Sequence, residues 1–94
     1  MATFKKTEIV DGRQFTGGEQ NGTDLTYWVQ SGGKQTALWG APYRSAPETI
    51  VLFQDMNQLD YERVFVGDWI IREQDGRFIR VRPEELITDG YEIQ

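Results

Sequence analysis

The sequence predicts an α+β protein, a small curved antiparallel sheet of roughly four to six strands with one main helix packed on it. Three observations predict this class. Short apolar runs bounded by turn residues, typical of strands, recur along most of the chain. Residues 21–30 carry apolar side chains at helical spacing. Asp75-Gly76 separates two β-rich runs, which is a strong hairpin signal. The length of 94 residues predicts a single domain, 1–94.

The composition narrows the function. The chain has no Cys and no His, and its formal net charge is −5. A thiol nucleophile, a thiolate metal site, the usual general base and the commonest metal ligand are therefore all missing. We expect a protein that is not an enzyme and that holds no metal or cofactor. The acidic charge also argues against general nucleic-acid binding, which requires a basic stripe.

The distribution of apolar residues predicts a cytoplasmic location. No stretch approaches the ~20 consecutive apolar residues of a membrane span. Residues 1–10 contain Lys5 and Lys6 but lack the apolar run of a signal peptide. We therefore expect no membrane contact.

The first half of the chain predicts two strands and the main helix. Residues 7–15 predict a strand that Asp11-Gly12 interrupts with a bulge or an early turn. Residues 21–30 predict the helix, which Asn21 or Thr23 can cap. Residues 35–39 predict a second strand. The apolar face of the helix consists of Leu25, Trp28 and Val29.

The middle of the chain predicts a loop followed by two strands. Residues 40–47 contain two prolines and Gly40 among large side chains, which is typical of a loop. Residues 49–55 include a short apolar run bounded by polar residues and predict a strand. Residues 59–66 predict another strand.

The hairpin of residues 68–73 and 77–82 is the clearest predicted element. A two-residue loop at Asp75-Gly76 pairs Ile70 with Val81 and places Arg82 opposite Trp69. A three-residue loop would shift this register. Beyond the hairpin, Pro83 and the acids behind it predict a short helix, and residues 91–93 predict a last strand. The predicted core consists of Leu25, Trp28, Val29, Ile50, Leu52, Phe65, Ile70, Ile79 and Val81.

Both ends of the chain carry recognisable motifs. The chain opens on Phe4-Lys5-Lys6, continues to Gln14-Phe15-Thr16-Gly17, and then has Trp28 near the end of its predicted helix. It closes on Gly67-Asp68-Trp69-Ile70-Ile71-Arg72, Gly76-Arg77-Phe78, Arg82-Pro83-Glu84 and Tyr91-Glu92. In order and spacing, these motifs resemble those of a family of small bacteriophage and prophage proteins.

The chain also departs from that family. Thr7 stands where the family usually has Pro after its Lys pair, and Ile79-Arg80-Val81-Arg82-Pro83 replaces a run that contains Cys. No role of that cysteine carries over, and residues 35–47 add nothing to the resemblance. The family has no settled catalytic residues. The resemblance therefore implies a source, a phage or prophage accessory gene, rather than a mechanism.

Two groups of residues are candidate binding sites. Trp39, Tyr43 and Arg44 lie in or beside the predicted loop, where aromatic side chains and an arginine suit stacking on a base or gripping a protein surface. The same residues could instead cover one end of the sheet. The hairpin concentrates arginines that could bind phosphate or an acidic surface, or could be solvated charges paired with nearby acids. These are Arg72, Arg77, Arg80 and Arg82.

Three functions fit these features. The resemblance, the acidic charge and the lack of catalytic residues favour a phage or prophage accessory protein that binds a host protein in the host cytoplasm without catalysis. One alternative is a protein that sequesters a small molecule, a nucleotide signal, through Trp39, Tyr43, Arg44 and the hairpin arginines. Another is a virion or structural assembly component, which would form a defined homo-oligomer through exposed hairpin edges.

The predicted core leads to a stability test. Replacing Trp28 or Ile70 by Ala should lower the free energy of unfolding by about 2–5 kcal/mol, because each change leaves a cavity in a thin core. Chemical denaturation of each variant measures this loss. An unchanged denaturation midpoint would show that the core assignment is wrong.

Overall fold

The chain folds as an α+β protein with antiparallel strands, as the sequence predicts. The structure, a computed structural model, describes residues 2–5, 9–88 and 90–93. In chain order the elements are β1 (Ala2–Lys5), β2 (Ile9–Gln14), α1 (Glu19–Gln30), β3 (Ala37–Gly40), β4 (Thr49–Phe53), β5 (Tyr61–Phe65), β6 (Trp69–Arg72), β7 (Phe78–Val81), α2 (Pro83–Thr88) and β8 (Glu92–Ile93). The predicted strand over residues 7–15 corresponds to β2, and positions 7 and 8 lie outside the described residues.

The strands form two sheets rather than the predicted single sheet. The large sheet has the strand order β7-β6-β2-β1-β8, and the small sheet has the order β3-β4-β5. The division occurs between β5 and β6, where Gly67 adopts a φ of 102° and the Asp68 N–H donates to the carbonyl of Phe65. Phe15 bonds to both Gly67 and Asp68 through its backbone, so the chain that leaves this turn pairs with β2 instead of β5.

The main core lies between α1, the inner face of the small sheet and the β6–β7 end of the large sheet. Trp28 of the helix meets Phe78 of β7 edge to face, with ring centroids 4.9 Å apart. The buried residues of the main core are Phe15, Leu25, Trp28, Val29, Ala37, Ile50, Leu52, Val64, Ile70 and Phe78. The helix therefore joins the two sheets through shared apolar contacts, each large buried side chain contributing roughly 1.5–3 kcal/mol.

A second, smaller core covers the opposite face of the large sheet. Alternation along the strands places Ile70 and Ile71 on opposite faces. Ile70 belongs to the main core, whereas Ile71 packs with Val10 and Val81. Leu86 of α2 and Tyr91 pack against this second cluster. The β6–β7 hairpin is thus buried on both faces.

The hairpin register differs by one residue from the two-residue-loop prediction. The structure pairs Ile70 with Arg80 and Trp69 with Val81. The loop has three residues because the Gly76 N–H donates to the carbonyl of Glu73 and Gly76 adopts a φ of 88°. This is the three-residue hairpin loop that ends in a glycine bulge. The predicted pairs of Ile70 with Val81 and of Trp69 with Arg82 are therefore wrong.

The register shift also explains part of the core outcome. Seven of the nine predicted core residues are buried, but Ile79 is half-buried and Phe65 is 36% exposed. Ile79 packs in the second cluster rather than beside Ile70. Phe65 follows Val64 in β5, and because neighbouring residues of a strand face opposite ways, the inward position belongs to Val64.

Helix α1 begins two residues before the predicted start. Gly18 is its N-cap and supplies no side-chain hydrogen bond, so both predicted caps, Asn21 and Thr23, are wrong. Asn21 instead accepts a hydrogen bond from the Thr16 N–H. A residue far away in the sequence stabilises the helix start, because the Gly18 N–H donates to Oε2 of Glu48 over 2.6 Å.

A buried amide ties the two sheets together. The side chain of Gln35 is 2% exposed and lies between the end of β4 and the outer edge of β7. Its Oε1 accepts from the Phe78 N–H over 2.7 Å, and its Nε2 donates to the carbonyls of Phe78 and Phe53 over 3.1 and 3.0 Å. The amide therefore pairs with Phe78 as a neighbouring strand would.

This amide gives the second prediction. Gln35→Leu should lower the free energy of unfolding by about 2–5 kcal/mol, because it leaves buried backbone groups of Phe78 without a partner. Urea denaturation measures the loss. Gln74→Leu, at an exposed position in the hairpin loop, is the matched control and should change stability by less than about 0.5 kcal/mol. Equal stability of both variants would contradict the role of Gln35.

Candidate protein-binding surface

Trp39 is part of the packed structure. Its ring lies against Gly22 of α1, where a Cβ would overlap ring atom Cδ1, and it packs against the main core. The indole Nε1–H donates to Oε2 of Glu48 over 2.7 Å. Trp39 therefore contributes to the packing of β3 against α1.

Tyr43 and Arg44 lie in the loop between β3 and β4 and are exposed. Tyr43 and Ala46 form an isolated bridge, bonding through both N–H and carbonyl groups, and Arg44 adopts a φ of 54° in the turn between them. The Arg44 guanidinium lies 5.2 Å from the centre of the Tyr43 ring. These two side chains form a small exposed unit that is separate from the packed ring of Trp39.

Three of the four predicted hairpin arginines have an acidic partner, whereas Arg77 donates to Oε1 of Gln54 over 2.6 Å. Arg72 pairs with Asp11 at 2.7 Å, and Arg80 pairs with Asp68 at 2.8 Å. Arg82 lies 3.8 Å from Glu85, and both side chains are about half exposed. These three side chains have three different partners in three places, so the structure does not assemble them with Trp39, Tyr43 and Arg44 into one site.

The carboxylate of Asp68 organises the corner between β5 and β6. Its Oδ2 accepts from the Phe65 N–H over 2.9 Å and from Arg80 Nε over 2.8 Å. The Arg80 guanidinium lies 5.4 Å from the centre of the Phe65 ring. Asp68 therefore links the end of β5 to β7 and places Phe65 beside a cation.

The outer face of the small sheet, the side away from α1, is largely apolar. Register places Leu38, Val51 and Arg63 side by side across the three strands, and Phe53 beside Tyr61. The rings of Phe53 and Tyr61 meet edge to face, 6.1 Å apart. We define the outer face by six residues, Leu38, Val51, Phe53, Tyr61, Arg63 and Phe65.

Three of the exposed large hydrophobic side chains lie on this face, namely Leu38, Tyr61 and Phe65. Among the described residues, nine large hydrophobic side chains are exposed, and seven of them lie between positions 38 and 66. Leu38 is 56% exposed and Tyr61 50% exposed. The others in this segment are Tyr43, Met56, Leu59, Phe65 and Val66. Clustered exposure of this kind marks interaction surfaces, whereas single exposed apolar residues do not.

Arg63 is the charged residue at the centre of the outer face. Its guanidinium lies 6.0 Å from the centre of the Tyr61 ring. Within the described part of the chain, no carboxylate lies within ion-pair distance of Arg63. Tyr and Arg are the residue types that dominate protein-binding hot spots, together with Trp.

Three grooves lie on the surface of the described part of the chain. The largest, about 510 Å³, lies beside β2 and the first turns of α1 and is lined by Arg13, Gln14, Asn21, Asp24, Leu25 and Trp69 among others. The second, about 330 Å³, includes Arg72, and the third, about 200 Å³, includes Gln35 and Arg77. Of the seven candidate binding residues, only Arg72 and Arg77 line any of these three grooves, each a different one.

The described residues, 2–5, 9–88 and 90–93, contain no group of three or more acidic side chains, His or Cys placed to hold a metal ion. No helix among them is both long enough and apolar enough to cross a membrane.

Comparison of the chain with protein-family models, with curated proteins and with solved structures found no match.

The sequence contains a signal for this surface that the candidate binding residues did not include. The apolar run over residues 50–53 predicts a strand that is apolar on both sides. Such a strand is normally covered on both faces. In the structure α1 lies against the side that carries Ile50 and Leu52, and the side that carries Val51 and Phe53 forms the outer face.

The Asp68 carboxylate gives the third prediction. Asp68→Ala should lower the free energy of unfolding by about 3–5 kcal/mol, because it leaves Arg80 without its carboxylate where both side chains are at least 85% buried. Asp11→Ala breaks a similar pair with Arg72, whose side chain is 45% exposed, and should cost less than about 1 kcal/mol. Urea denaturation of both variants tests this difference, and equal losses would contradict it.

Proposed function

We propose that the chain is a phage or prophage accessory protein that acts by non-catalytic binding to a host protein, and that it binds through the outer face of the small sheet. The resemblance of both chain ends to small phage proteins supports the source. The outer face supports binding.

The observation that carries this proposal is the apolar outer side of β4. Val51 and Phe53 lie on the central strand of the small sheet, flanked by Leu38 on β3 and by Tyr61 and Phe65 on β5. Exposure of this apolar side to water is unfavourable. A partner surface that covers it gains about 25 cal/mol per Å² of apolar area removed from water. Binding of a protein is therefore the use that best fits this surface.

The geometry of the face favours specific binding over non-specific hydrophobic association. The Phe53 and Tyr61 rings support each other edge to face, and Arg80, held by Asp68, lies beside Phe65. Aromatic side chains that are already positioned lose little conformational entropy on binding. The cationic Arg63 at the centre adds a charge that a partner can recognise within an otherwise acidic protein, whose net charge is −5.

Capture from a bacterial lysate tests the proposal. The wild-type protein should retain a specific host protein that mass spectrometry identifies and that binds again when purified. The double variant Leu38→Ser/Tyr61→Ala should weaken binding of that purified protein by at least about tenfold, because it removes two large contacts of the face.

The control variant changes two exposed hydrophobic side chains elsewhere. Tyr27 on α1 and Ile87 on α2 are 66% and 82% exposed, so Tyr27→Ala/Ile87→Ser removes similar apolar area away from the outer face. This control should bind the host protein as the wild type does. Equal loss in both double variants, or a lysate that yields no specific protein, would contradict the proposal. A defined oligomer that dissociates only in Leu38→Ser/Tyr61→Ala would instead support the assembly alternative.

A further inference from the structure

The protein covers the edges of its two sheets unequally. The edge of β3 lies against α1, where Gln30 Nε2 donates to the carbonyl of Ala37 over 3.0 Å. The edge of β7 is covered at Phe78 by the amide of Gln35. The edge of β5 is covered at Phe65, whose N–H and carbonyl both bond to Asp68. No comparable partner covers Tyr61 or Arg63 among the described residues.

The backbone groups of Tyr61 and Arg63 point away from β4. In an antiparallel pair, residues that exchange hydrogen bonds alternate with residues whose N–H and carbonyl groups face outward. The Gln54 N–H donates to the carbonyl of Asp60, which makes Leu52–Glu62 and Ile50–Val64 the bonding pairs. Tyr61, Arg63 and Phe65 then face outward. The bonds from Phe65 to Asp68 are independent support for this orientation.

We propose that this open edge accepts an extended strand of the partner protein, which adds to the small sheet beside β5. The inference rests on the proposed function and names the mode of binding. An added strand would bond to the outward N–H and carbonyl groups of Tyr61 and Arg63, as in other complexes formed by strand addition. Its side chains would extend the outer face of the sheet.

The side chains along this edge define the chemistry of the strand. Arg63 faces outward without an ion pair, so the strand carries an acidic residue next to it on the outer face. Two residues away on the same face, an apolar side chain lies against Tyr61 and Phe53. Glu62 is exposed on the other side of the strand and also forms no ion pair among the described residues, which favours a basic residue opposite it.

A second copy of the chain fits this edge poorly. The antiparallel register that uses both open residues pairs Tyr61 with Arg63 of the second copy. It also places Glu62 directly opposite Glu62 of the second copy, in the close type of pair with Cα atoms about 4.5 Å apart. Like charges in direct opposition destabilise strand pairing. The edge thus disfavours self-association and is matched to a foreign strand of alternating charge.

Selection from a displayed library of random ten-residue peptides tests the inference with the full chain as bait. The selected peptides should contain an acidic residue with an apolar residue two positions away. Arg63→Pro should weaken their binding by at least about tenfold relative to Arg63→Ala, because proline also removes the outward N–H. Proline is tolerated at an edge position whose N–H faces solvent, so the bonds between β4 and β5 remain.

A charge exchange separates side-chain recognition from backbone pairing. The Arg63→Glu variant should no longer bind the selected peptides. It should bind peptides in which the acidic residue is replaced by Lys. Amide exchange of the wild-type protein gives a readout that needs no variant, because saturating peptide should slow exchange at Tyr61 and Arg63 but not at Tyr27. Selected peptides that bind Arg63→Pro and Arg63→Ala equally, unchanged exchange at both amides, or a library that yields no binder would each overturn the inference.

These outcomes are distinct from those that test the proposed function. If the captured host protein binds Arg63→Pro as tightly as Arg63→Ala but is lost by Leu38→Ser/Tyr61→Ala, the outer face is the binding site and strand addition is wrong. If neither change affects capture, both proposals fail.

Discussion

The hydrogen bonds of the Asp68 carboxylate are the constraint on which the two-sheet architecture depends. One oxygen accepts from the backbone of Phe65 and from the side chain of Arg80, so the end of the small sheet and the outer strand of the large sheet share a single acceptor. Asp68 is 6% exposed, and at that burial an arginine left without its carboxylate would cost several kcal/mol. Gly67 makes the arrangement possible, because its positive φ turns the chain before Asp68.

Gln35 complements this corner at the other end of β7. Both residues close a strand edge with a side chain instead of another strand, and both act between the two sheets. An amide suits Phe78 because it offers a donor and an acceptor at once, as a backbone does. Because only Phe65 of β5 is closed in this way, the backbone groups of Tyr61 and Arg63 stay uncovered next to the apolar outer face. Edge closure and candidate binding surface are therefore two results of one pattern of hydrogen bonds.

Local features of the fold follow from the sequence, and long-range ones do not. The helix face of Leu25, Trp28 and Val29 and the turn at Gly67 have short-range signals. The hairpin register depends on whether Gly76 ends a loop of two or three residues, and Asp-Gly is compatible with both. The assignment of β6 to the large sheet depends on bonds from Phe15, more than fifty residues away. Nothing near Gln35 in the sequence indicates that its polar side chain is buried.

The candidate site shows the same division. Tyr43 and Arg44 are exposed, as a loop predicts, but Trp39 is held by Gly22 and Glu48, contacts that no local pattern announces. The hairpin arginines can be recognised as a cluster in the sequence. The separate carboxylates that pair with three of them, on β2, at the β5–β6 corner and on α2, can be identified only from the fold. The outer face was predictable only in part, because the apolar run of β4 was visible and the lack of cover on one side was not.

The contact between Gly18 and Glu48 has a consequence for the order of folding. Helix α1 has no side-chain cap of its own, and its first N–H groups include one that bonds to a carboxylate thirty residues later in the chain. The same oxygen of Glu48 holds the Trp39 indole, so the acceptor is in place only when β3 and the start of β4 have met. Closing that loop costs entropy before the bond forms. We therefore expect the first turn of α1 to become ordered late, after the small sheet, while the turns around Trp28 consolidate earlier with the core.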